Sequence, residues 1–182
     1  MGLKNYLEAI HSQYARGDSR EESYYPNLKN LIDAIAVKLG KKNIHVTTLP
    51  KQTEAGNPDF KIWDGKQHHV GYIEAKKPET HNLNDVEESE QLGRYRYTFP
   101  NMILTNFFEF RLYRNGEIIK TVSIGRSFVS TKLKTAPPPE NENLFLELME
   151  IFLGFSTPKA YNAEQLAVEL KKYQEPFAKI SC

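Results

Sequence analysis

The chain has 182 residues, of which 40% are hydrophobic and 26% are charged. This length and balance are typical of one soluble domain, and they exclude a disordered chain, a collagen-like repeat and a small disulfide scaffold. Basic residues number 24 and acidic residues 23, so the formal charge is only +1. A domain that binds nucleic acid tightly by itself is usually more basic, so any such binding is expected to be weak.

Membrane and redox signals are sparse in the sequence. No apolar run approaches the ~20 residues that a transmembrane helix requires, so we expect no membrane partner. The single cysteine, Cys182, can form no internal disulfide. A reducing, cytoplasmic location is therefore predicted.

Apolar residues at helical spacing predict two helices early in the chain, over 3–16 and about 24–39. The second helix has two possible starts. A capping box that begins at Ser19 would leave Pro26 inside the helix, where proline removes a hydrogen bond. Ser23 as the cap places Pro26 in the first turn, which tolerates proline, so we prefer Ser23.

Alternating and β-branched segments predict a series of strands in the middle of the chain, at 44–49, 58–63, 69–76, 102–105, 109–114 and 117–122. The last two strands flank Asn115-Gly116, a strong hairpin signal. Between the third and fourth strands, a helix is predicted at about 85–98. Asn84 is its expected cap, with Glu87 as the partner in a capping box.

A proline-rich segment at 136–143 separates this region from two further helical patterns, at 144–153 and 163–180. We therefore divide the chain into a core over 1–135 and a C-terminal part over 136–182. The C-terminal part is expected to pack on the core or to lead to a following domain. The last helical pattern has no clear stop, which fits either a frayed terminus or a longer polypeptide.

Two carboxylates and a lysine come from neighbouring predicted strands: Asp59 from one strand, Glu74 and Lys76 from the next. Because side chains alternate along a strand, Glu74 and Lys76 point to one face, and Ile73 and Ala75 point to the other. The polar set is therefore predicted to gather on one side of the strand pair.

The strand register decides whether Asp59 reaches Glu74. A tight turn at Asp64-Gly65 would place Asp59 opposite Val70, roughly 13 Å from Glu74 along the strand, too far for one metal ion to bridge. A wider loop at about 64–69 would pair Asp59 with Glu74. Both registers keep the carboxylates on one face, because the shift between them is even.

Adjacent carboxylates repel each other unless a positive charge lies between them. Mg²⁺ suits such a place, because it takes oxygen ligands and keeps several waters, and Mn²⁺ is expected to substitute for it. Lys76 could orient an attacking water and stabilise charge on a phosphate. The set suits phosphodiester hydrolysis. The alternative is three solvated charges on an exposed strand face.

Pro58-Asp59 followed by Glu74-Ala75-Lys76 resembles the signature of the PD-(D/E)xK nuclease superfamily. Gln91 and Tyr95, which share a helix face at this spacing, resemble the Q-x-x-x-Y motif of RecB-type members. Longer segments are similar to the N-terminal nuclease domains of single-chain restriction-modification enzymes of the Type ISP kind, at 24–28, 56–60, 89–91, 99–106, 110–116 and 162–180.

The resemblance implies an α/β fold with a central mixed sheet flanked by helices, and a Mg²⁺-dependent endonuclease that acts on double-stranded DNA. Asp59, Glu74 and the backbone carbonyl of Ala75 would hold the metal. Lys76 would position the attacking water or the phosphate, and the products would carry 5′-phosphate and 3′-hydroxyl ends. Gln91 and Tyr95 would support Lys76 or the DNA backbone.

Related domains also carry a glutamate on or just before the first core helix, and an arginine where this chain has Tyr25. Glu21 and Glu22 compete for the glutamate position, and their spacing to Pro26 favours Glu21. Glu21 would steer a second metal or a water, whereas helix capping is its structural alternative. The related enzymes continue into methyltransferase parts, some with motor and target-recognition parts, so further domains of one polypeptide are the expected partners.

A catalytically inactive module with a nuclease-like fold, which docks DNA or a protein partner, is the rival interpretation. The complete set of Asp59, Glu74 and Lys76 argues against it. Three basic pairs could in addition contact DNA phosphates, although scattered surface charge explains most of them equally well: Lys41-Lys42, Arg94 with Arg96, and Arg111 with Arg114.

Overall fold

The computed structural model describes residues 1–66, 68–126 and 135–156. Its helices are α1 (Leu3–Ala15), α2 (Tyr25–Lys38), α3 (Leu83–Glu87), α4 (Glu90–Thr98) and α5 (Glu142–Leu153), and a 3₁₀ turn spans Glu21–Tyr24. Its strands are β1 (His45–Thr48), β2 (Phe60–Trp63), β3 (His69–Ala75), β4 (Asn101–Thr105), β5 (Glu109–Arg114) and β6 (Glu117–Ser123). The helix predicted at 163–180 lies outside the described residues. Within them, no helix has the length and apolarity needed to cross a membrane.

The six strands form one sheet in which spatial order follows chain order, β1 to β6. Only β3 and β4 pair in parallel, and α3 and α4 form the crossover between them. The other pairs are antiparallel, including the β5–β6 hairpin that the Asn115-Gly116 turn predicts. The fold is therefore α/β, with the mixed sheet flanked by helices that the resemblance implies.

Two hydrophobic layers cover the sheet. The larger layer packs α1, α2 and α5 against one face, with Phe60, Ile73 and Ile103 pointing into it. The smaller layer packs α3 and α4 against the other face, around Leu104 and Tyr95. Alternation along each strand divides the side chains between these layers.

The start of α2 differs from the predicted cap. Ser23 lies inside the 3₁₀ turn, and its hydroxyl accepts a hydrogen bond from the backbone N–H of Arg20 at 3.2 Å. The α-helix itself begins at Tyr25, with Pro26 in its first turn as predicted. Ser23 is therefore not the helix cap, because the preceding residues already form a tight turn that leads the chain into the helix.

The helix predicted at 85–98 is two helices. Asn82 caps α3 by accepting from the N–H of Asn84 at 3.0 Å, and Ser89 caps α4 by accepting from the N–H of Leu92 at 3.3 Å. Asn84 and Glu87 therefore do not form the predicted cap. Both instead accept hydrogen bonds from Arg111 of β5, at 2.7 and 2.6 Å, so tertiary contacts with this arginine decide their role.

The connection between β2 and β3 is the wider of the two loops weighed from the sequence. Phe60 pairs with Ile73, which sets Asp59 beside Glu74 in the next position of the same register. The Asp64 carboxylate closes the loop by accepting from the N–H groups of Lys66 and His68, at 2.8 and 3.1 Å. These bonds stabilise the β2–β3 loop, which is too long to be a two-residue turn.

Helix α5 packs into the larger layer, where Phe145, Leu148 and Phe152 are fully buried. The Asn101 amide joins α5 to the sheet by donating to the carbonyls of Phe152 and Val70, at 3.0 and 2.7 Å. Part of the segment after 135 thus shares the core, while the boundary between 1–135 and 136–182 stays a prediction.

Gly71 of β3 tests this packing. A Cβ atom there would lie 2.6 Å from the carbonyl oxygen of Asn101 and 2.7 Å from the Phe152 ring. Backbone cannot yield cheaply, so Gly71→Ala should lower the free energy of unfolding by about 1–3 kcal/mol. Urea denaturation measures it.

The matched control is Gly93→Ala in α4, where nothing lies within 4 Å of the added methyl group. Alanine is the better helix former, so this variant should be more stable by about 0.5–1 kcal/mol. A Gly71→Ala protein as stable as wild type would show that α5 does not approach β3 this closely.

Candidate active site

The candidate site lies where β2 begins and β3 ends. Asp59 immediately precedes β2, Glu74 lies near the end of β3, and Lys76 follows that strand. The 3₁₀ turn and the start of α2 approach from one side, and α4 approaches from the other. Four separate segments of the chain thus supply the side chains of one site.

Both oxygens of the Asp59 carboxylate are held. Oδ2 accepts from the backbone N–H of Ala75 at 2.7 Å, and Oδ1 accepts from the Tyr25 hydroxyl at 2.6 Å. The first bond ties the start of β2 to the end of β3, and the second ties the site to α2. The orientation of this carboxylate is therefore fixed by the fold.

Glu74 is 3% exposed, and its two oxygens have different surroundings. Oε1 accepts from Lys76 Nζ at 2.7 Å and from Gln91 Nε2 at 3.3 Å. Oε2 is buried and has no hydrogen-bond partner among the described residues. Buried polar atoms are almost always satisfied, so this oxygen retains the capacity to bind a further partner, such as a water or a cation.

Burial and mutual repulsion disfavour the charged forms of the two carboxylates when nothing else is bound. Burial first, and then the Asp59 charge, raise the pKa of Glu74 to about 7, against the opposing effect of Lys76. Burial also raises the pKa of Asp59, although the bonds from Tyr25 and Ala75 oppose that rise. A divalent cation between the carboxylates would relieve both penalties.

Lys76 remains positively charged in this setting. Burial alone would lower the pKa of Lys76, but the neighbouring carboxylates of Glu74, Glu21 and Asp59 together raise it above the ordinary value. Its backbone N–H donates to the Thr105 carbonyl at 2.7 Å, which extends the β3–β4 pairing to this residue. Lys77 is exposed.

The structure distinguishes Glu21 from Glu22. Glu21 lies beside the site, with its Oε1 3.4 Å from the Tyr25 hydroxyl, and it interacts electrostatically with Lys76, Asp59 and the backbone of Lys77. Burial is the main reason that the pKa of Glu21 is raised. Glu22 is exposed. The residue favoured by spacing is therefore the one that the fold places near Asp59.

Gln91 and Tyr95 share one face of α4, as their spacing predicts. Gln91 Nε2 lies 3.3 Å from Glu74 Oε1 and 3.2 Å from the Tyr95 hydroxyl. Tyr95 is buried against Gly56 and Phe99. The pair thus contacts the glutamate of the site rather than Lys76, and Tyr95 reaches it through Gln91.

Tyr25 is the site residue that sequence reasoning missed. Its hydroxyl donates to Asp59 and lies 3.4 Å from Glu21 Oε1, while its ring packs on Phe60 with 4.8 Å between ring centroids. The one available signal was its position before Pro26, where the resemblance drawn from the sequence would place an arginine. A tyrosine on the apolar side of a helix otherwise indicates only core packing.

The donor set fits Mg²⁺. Among the described residues, no three His, Cys, Asp or Glu side chains converge to enclose a metal by themselves. Mg²⁺ does not require such an enclosure, because one or two carboxylates commonly hold it while waters complete its coordination. The unpartnered Glu74 oxygen beside Asp59 meets that requirement.

Three of the six residues in the predicted basic pairs are held by structural contacts. Arg96 donates to the Gly116 carbonyl at 2.8 and 3.1 Å, and Arg111 pairs with Glu87 at 2.6 Å. Arg114 donates to the Asn101 side chain at 3.1 Å. These arginines hold the hairpin and the crossover in place, so they are not free phosphate ligands.

No protein-family model and no curated protein matches the chain. Among solved structures, a chain in the cryo-EM structure of a DrdV–DNA complex is similar, with a TM-score of 0.61 and 22% sequence identity. The match covers 86% of this chain but only 14% of that chain. The two proteins therefore share a fold over a short part of a much longer polypeptide.

Glu74→Gln tests the cation site without any activity measurement. Mg²⁺ that binds only the folded state should raise the melting temperature of the wild-type protein with concentration, as mass action requires. The variant should lose this response, and its metal-free stability should equal or exceed that of wild type, because the buried repulsion is removed.

Glu88→Gln removes an exposed carboxylate nearby in the chain and should keep the full Mg²⁺ response. Differential scanning calorimetry with and without EDTA makes the comparison. Equal Mg²⁺ responses in the wild-type and Glu74→Gln proteins would remove the cation site from Glu74.

Tyr25→Phe tests the hydroxyl that holds Asp59. The ring packing on Phe60 is kept, so the fold should persist. Partners that orient a metal ligand typically contribute 10–100-fold to metal affinity, and a loss of that size is expected in Mg²⁺ titrations. Tyr24→Phe alters the neighbouring ring, which packs on Phe107, and should leave the affinity unchanged. A Tyr25→Phe protein that binds Mg²⁺ as tightly as the Tyr24→Phe protein would contradict the role of the Tyr25 hydroxyl in holding Asp59.

Proposed function

We propose that this chain is the Mg²⁺-dependent DNA endonuclease domain of a restriction-modification enzyme, which hydrolyses phosphodiester bonds. One observation carries the proposal above the others. Glu74 lies opposite Asp59 in the β2–β3 register. One of its oxygens is buried and has no partner among the described residues, while Lys76 contacts the other oxygen at 2.7 Å. A cation held by the first oxygen would therefore lie next to a positively charged donor on the second.

Asp59, Glu74 and the backbone carbonyl of Ala75 would hold the ion, and Mn²⁺ is expected to replace Mg²⁺. When bound, the ion supplies positive charge that polarises the phosphate and lowers the pKa of water. Asp59 is already oriented for this role by Tyr25 and Ala75. Little reorganisation is needed, which is the condition under which electrostatic stabilisation is most effective.

Lys76 is the residue that acts on the reacting groups. Its ammonium group would orient the attacking water or stabilise the charge that develops on the phosphate oxygens. The water oxygen forms a bond to phosphorus in line with the bond that breaks, and the leaving 3′ oxygen takes up a proton. The products would be a 5′-phosphate and a 3′-hydroxyl end. Glu21 would orient a further water or ion.

Gln91 is a positioning residue in this scheme. By donating to Glu74 Oε1, together with Lys76, it leaves Oε2 as the oxygen that would bind the cation. Tyr95 supports Gln91 from the buried layer under α4. These contacts explain how a helix on one side of the sheet contributes to the site.

DNA is the proposed substrate, partly because the solved structure of similar fold is that of a DNA complex. The long chain in that complex is consistent with a nuclease part joined to others. We therefore propose methyltransferase and target-recognition parts, with or without a motor, as partners in one polypeptide. With a net charge of +1, this domain alone should bind double-stranded DNA weakly and without sequence preference.

Cleavage of a supercoiled plasmid provides the test. Asp59→Ala and Glu74→Ala should abolish nicking in Mg²⁺, and EDTA should do the same to the wild-type protein. Lys76→Ala should cut DNA ~10²–10³-fold more slowly while it still binds Mg²⁺, because a donor that stabilises the transition state is removed.

Lys77→Ala is the matched control and should cut at nearly the wild-type rate, since its side chain is exposed beyond the end of β3. A folded wild-type protein that binds DNA but never cuts it in Mg²⁺ or Mn²⁺ would favour an inactive binding module. If Lys77→Ala were the inactive variant, the face assigned to the three residues would be wrong.

A further inference from the structure

A groove of about 480 Å³ lies on the face of the sheet that carries the carboxylates. We call it the lysine groove and define it by six of its lining residues: Lys51, Thr53, Lys61, Trp63, His69 and Tyr72. Helices α3 and α4 cover the β4–β5 side of this face. The groove is lined by β1, β2, β3 and the loop after β1, and among the described residues no helix contributes to its lining.

The lysine groove continues directly from the candidate site. Lys61 follows Asp59 by two residues, and Tyr72 precedes Glu74 by two, so each shares a strand face with the neighbouring carboxylate. Lys61 and Tyr72 are also cross-strand partners. Successive side chains on one face are about 7 Å apart, so the groove begins one such step from the carboxylates.

The charges in the groove have one sign. Among the described residues, its lining contains two lysines and no aspartate or glutamate. In the described part of the chain, neither Lys51 nor Lys61 forms a salt bridge, unlike Lys29, Lys76 and Lys120. Both ammonium groups are thus available for an anion, whereas Arg96, Arg111 and Arg114 are held by structural contacts.

Two aromatic side chains flank Lys61 in the groove: Tyr72 is its cross-strand partner, and Trp63 lies two residues further along β2. Tyr72 is half-buried and stacks on Phe99 with ring centroids 4.0 Å apart, so its position is fixed. Trp63 is also half-buried and packs beside His45, with centroids 5.0 Å apart. A groove with fixed rings and free ammonium groups suits a nucleic-acid strand, whose phosphates need cations and whose sugars and bases need apolar contact.

We propose that the lysine groove binds the stretch of DNA strand adjoining the phosphate that is cut, with Lys51 and Lys61 on its phosphates and Trp63 and Tyr72 against its sugars or bases. The inference rests on the proposed function for its location, but on the groove itself for its chemistry. It predicts which cations of a nearly neutral domain create its DNA affinity.

The experiment measures binding of the 182-residue chain to a fluorescent duplex by anisotropy, in EDTA, from 50 to 200 mM salt. Each phosphate contact contributes about 0.9 to the slope of log K against log salt. Lys51→Ala and Lys61→Ala should each make this negative slope less steep by about 0.9, and the double variant should make it less steep by about 1.8. Lys61→Arg should keep the wild-type slope.

Lys4→Ala is the matched control, because Lys4 is an exposed lysine on α1, in the opposite layer of the fold. It should not change the slope. Wild-type slopes in both groove variants, or no binding of the wild-type protein to the duplex at any salt concentration, would overturn the inference. Circular dichroism verifies that each variant is folded.

The two proposals fail separately. Unchanged slopes in a protein that cuts DNA in Mg²⁺ would remove the lysine groove and leave the nuclease. Reduced slopes in a protein that never cuts would leave the groove as a DNA-binding surface and remove the catalytic role of Asp59, Glu74 and Lys76.

Discussion

The pairing of β2 with β3 is the constraint on which the rest of the molecule depends. Its register sets Asp59 next to Glu74, and the bond from the Ala75 N–H to the Asp59 carboxylate closes the pair at 2.7 Å. A shift of two residues would keep the hydrophobic face buried but would separate the carboxylates by about 7 Å more. The loop bonds of Asp64 therefore help to define the site from the far end of the hairpin.

This register places the buried carboxylate of Glu74 beside the half-buried carboxylate of Asp59, and their desolvation and mutual repulsion disfavour the folded state. The surrounding residues offset the penalty in part: Lys76 and Gln91 contact one oxygen of Glu74, and Tyr25 contacts Asp59. One glutamate oxygen is left without a partner. Unsatisfied buried polar atoms of this kind recur at functional sites, where they lower the stability of the folded protein.

Basic side chains that are held by structural contacts and basic side chains that form no salt bridge lie over different parts of the sheet. On the β4–β5 side, arginines are engaged with backbone carbonyls and with Glu87, and they hold the crossover helices to the sheet. On the β1–β3 side, Lys51 and Lys61 line an open groove beside the carboxylates. Net charge alone conceals this division, because paired and unpaired cations count equally in it.

The sequence by itself determined the elements and the faces. Hydrophobic periodicity located the strands and the helices α1, α2 and α5, and alternation put Glu74 and Lys76 on one side, since both depend only on local spacing. Tertiary contacts decided the rest. They chose between the two registers for Asp59, split the predicted helix at Ser89, moved the start of α2 past Ser23, and brought Tyr25 to Asp59. Residues 34 apart in the chain meet through packing of whole elements, which no local pattern encodes.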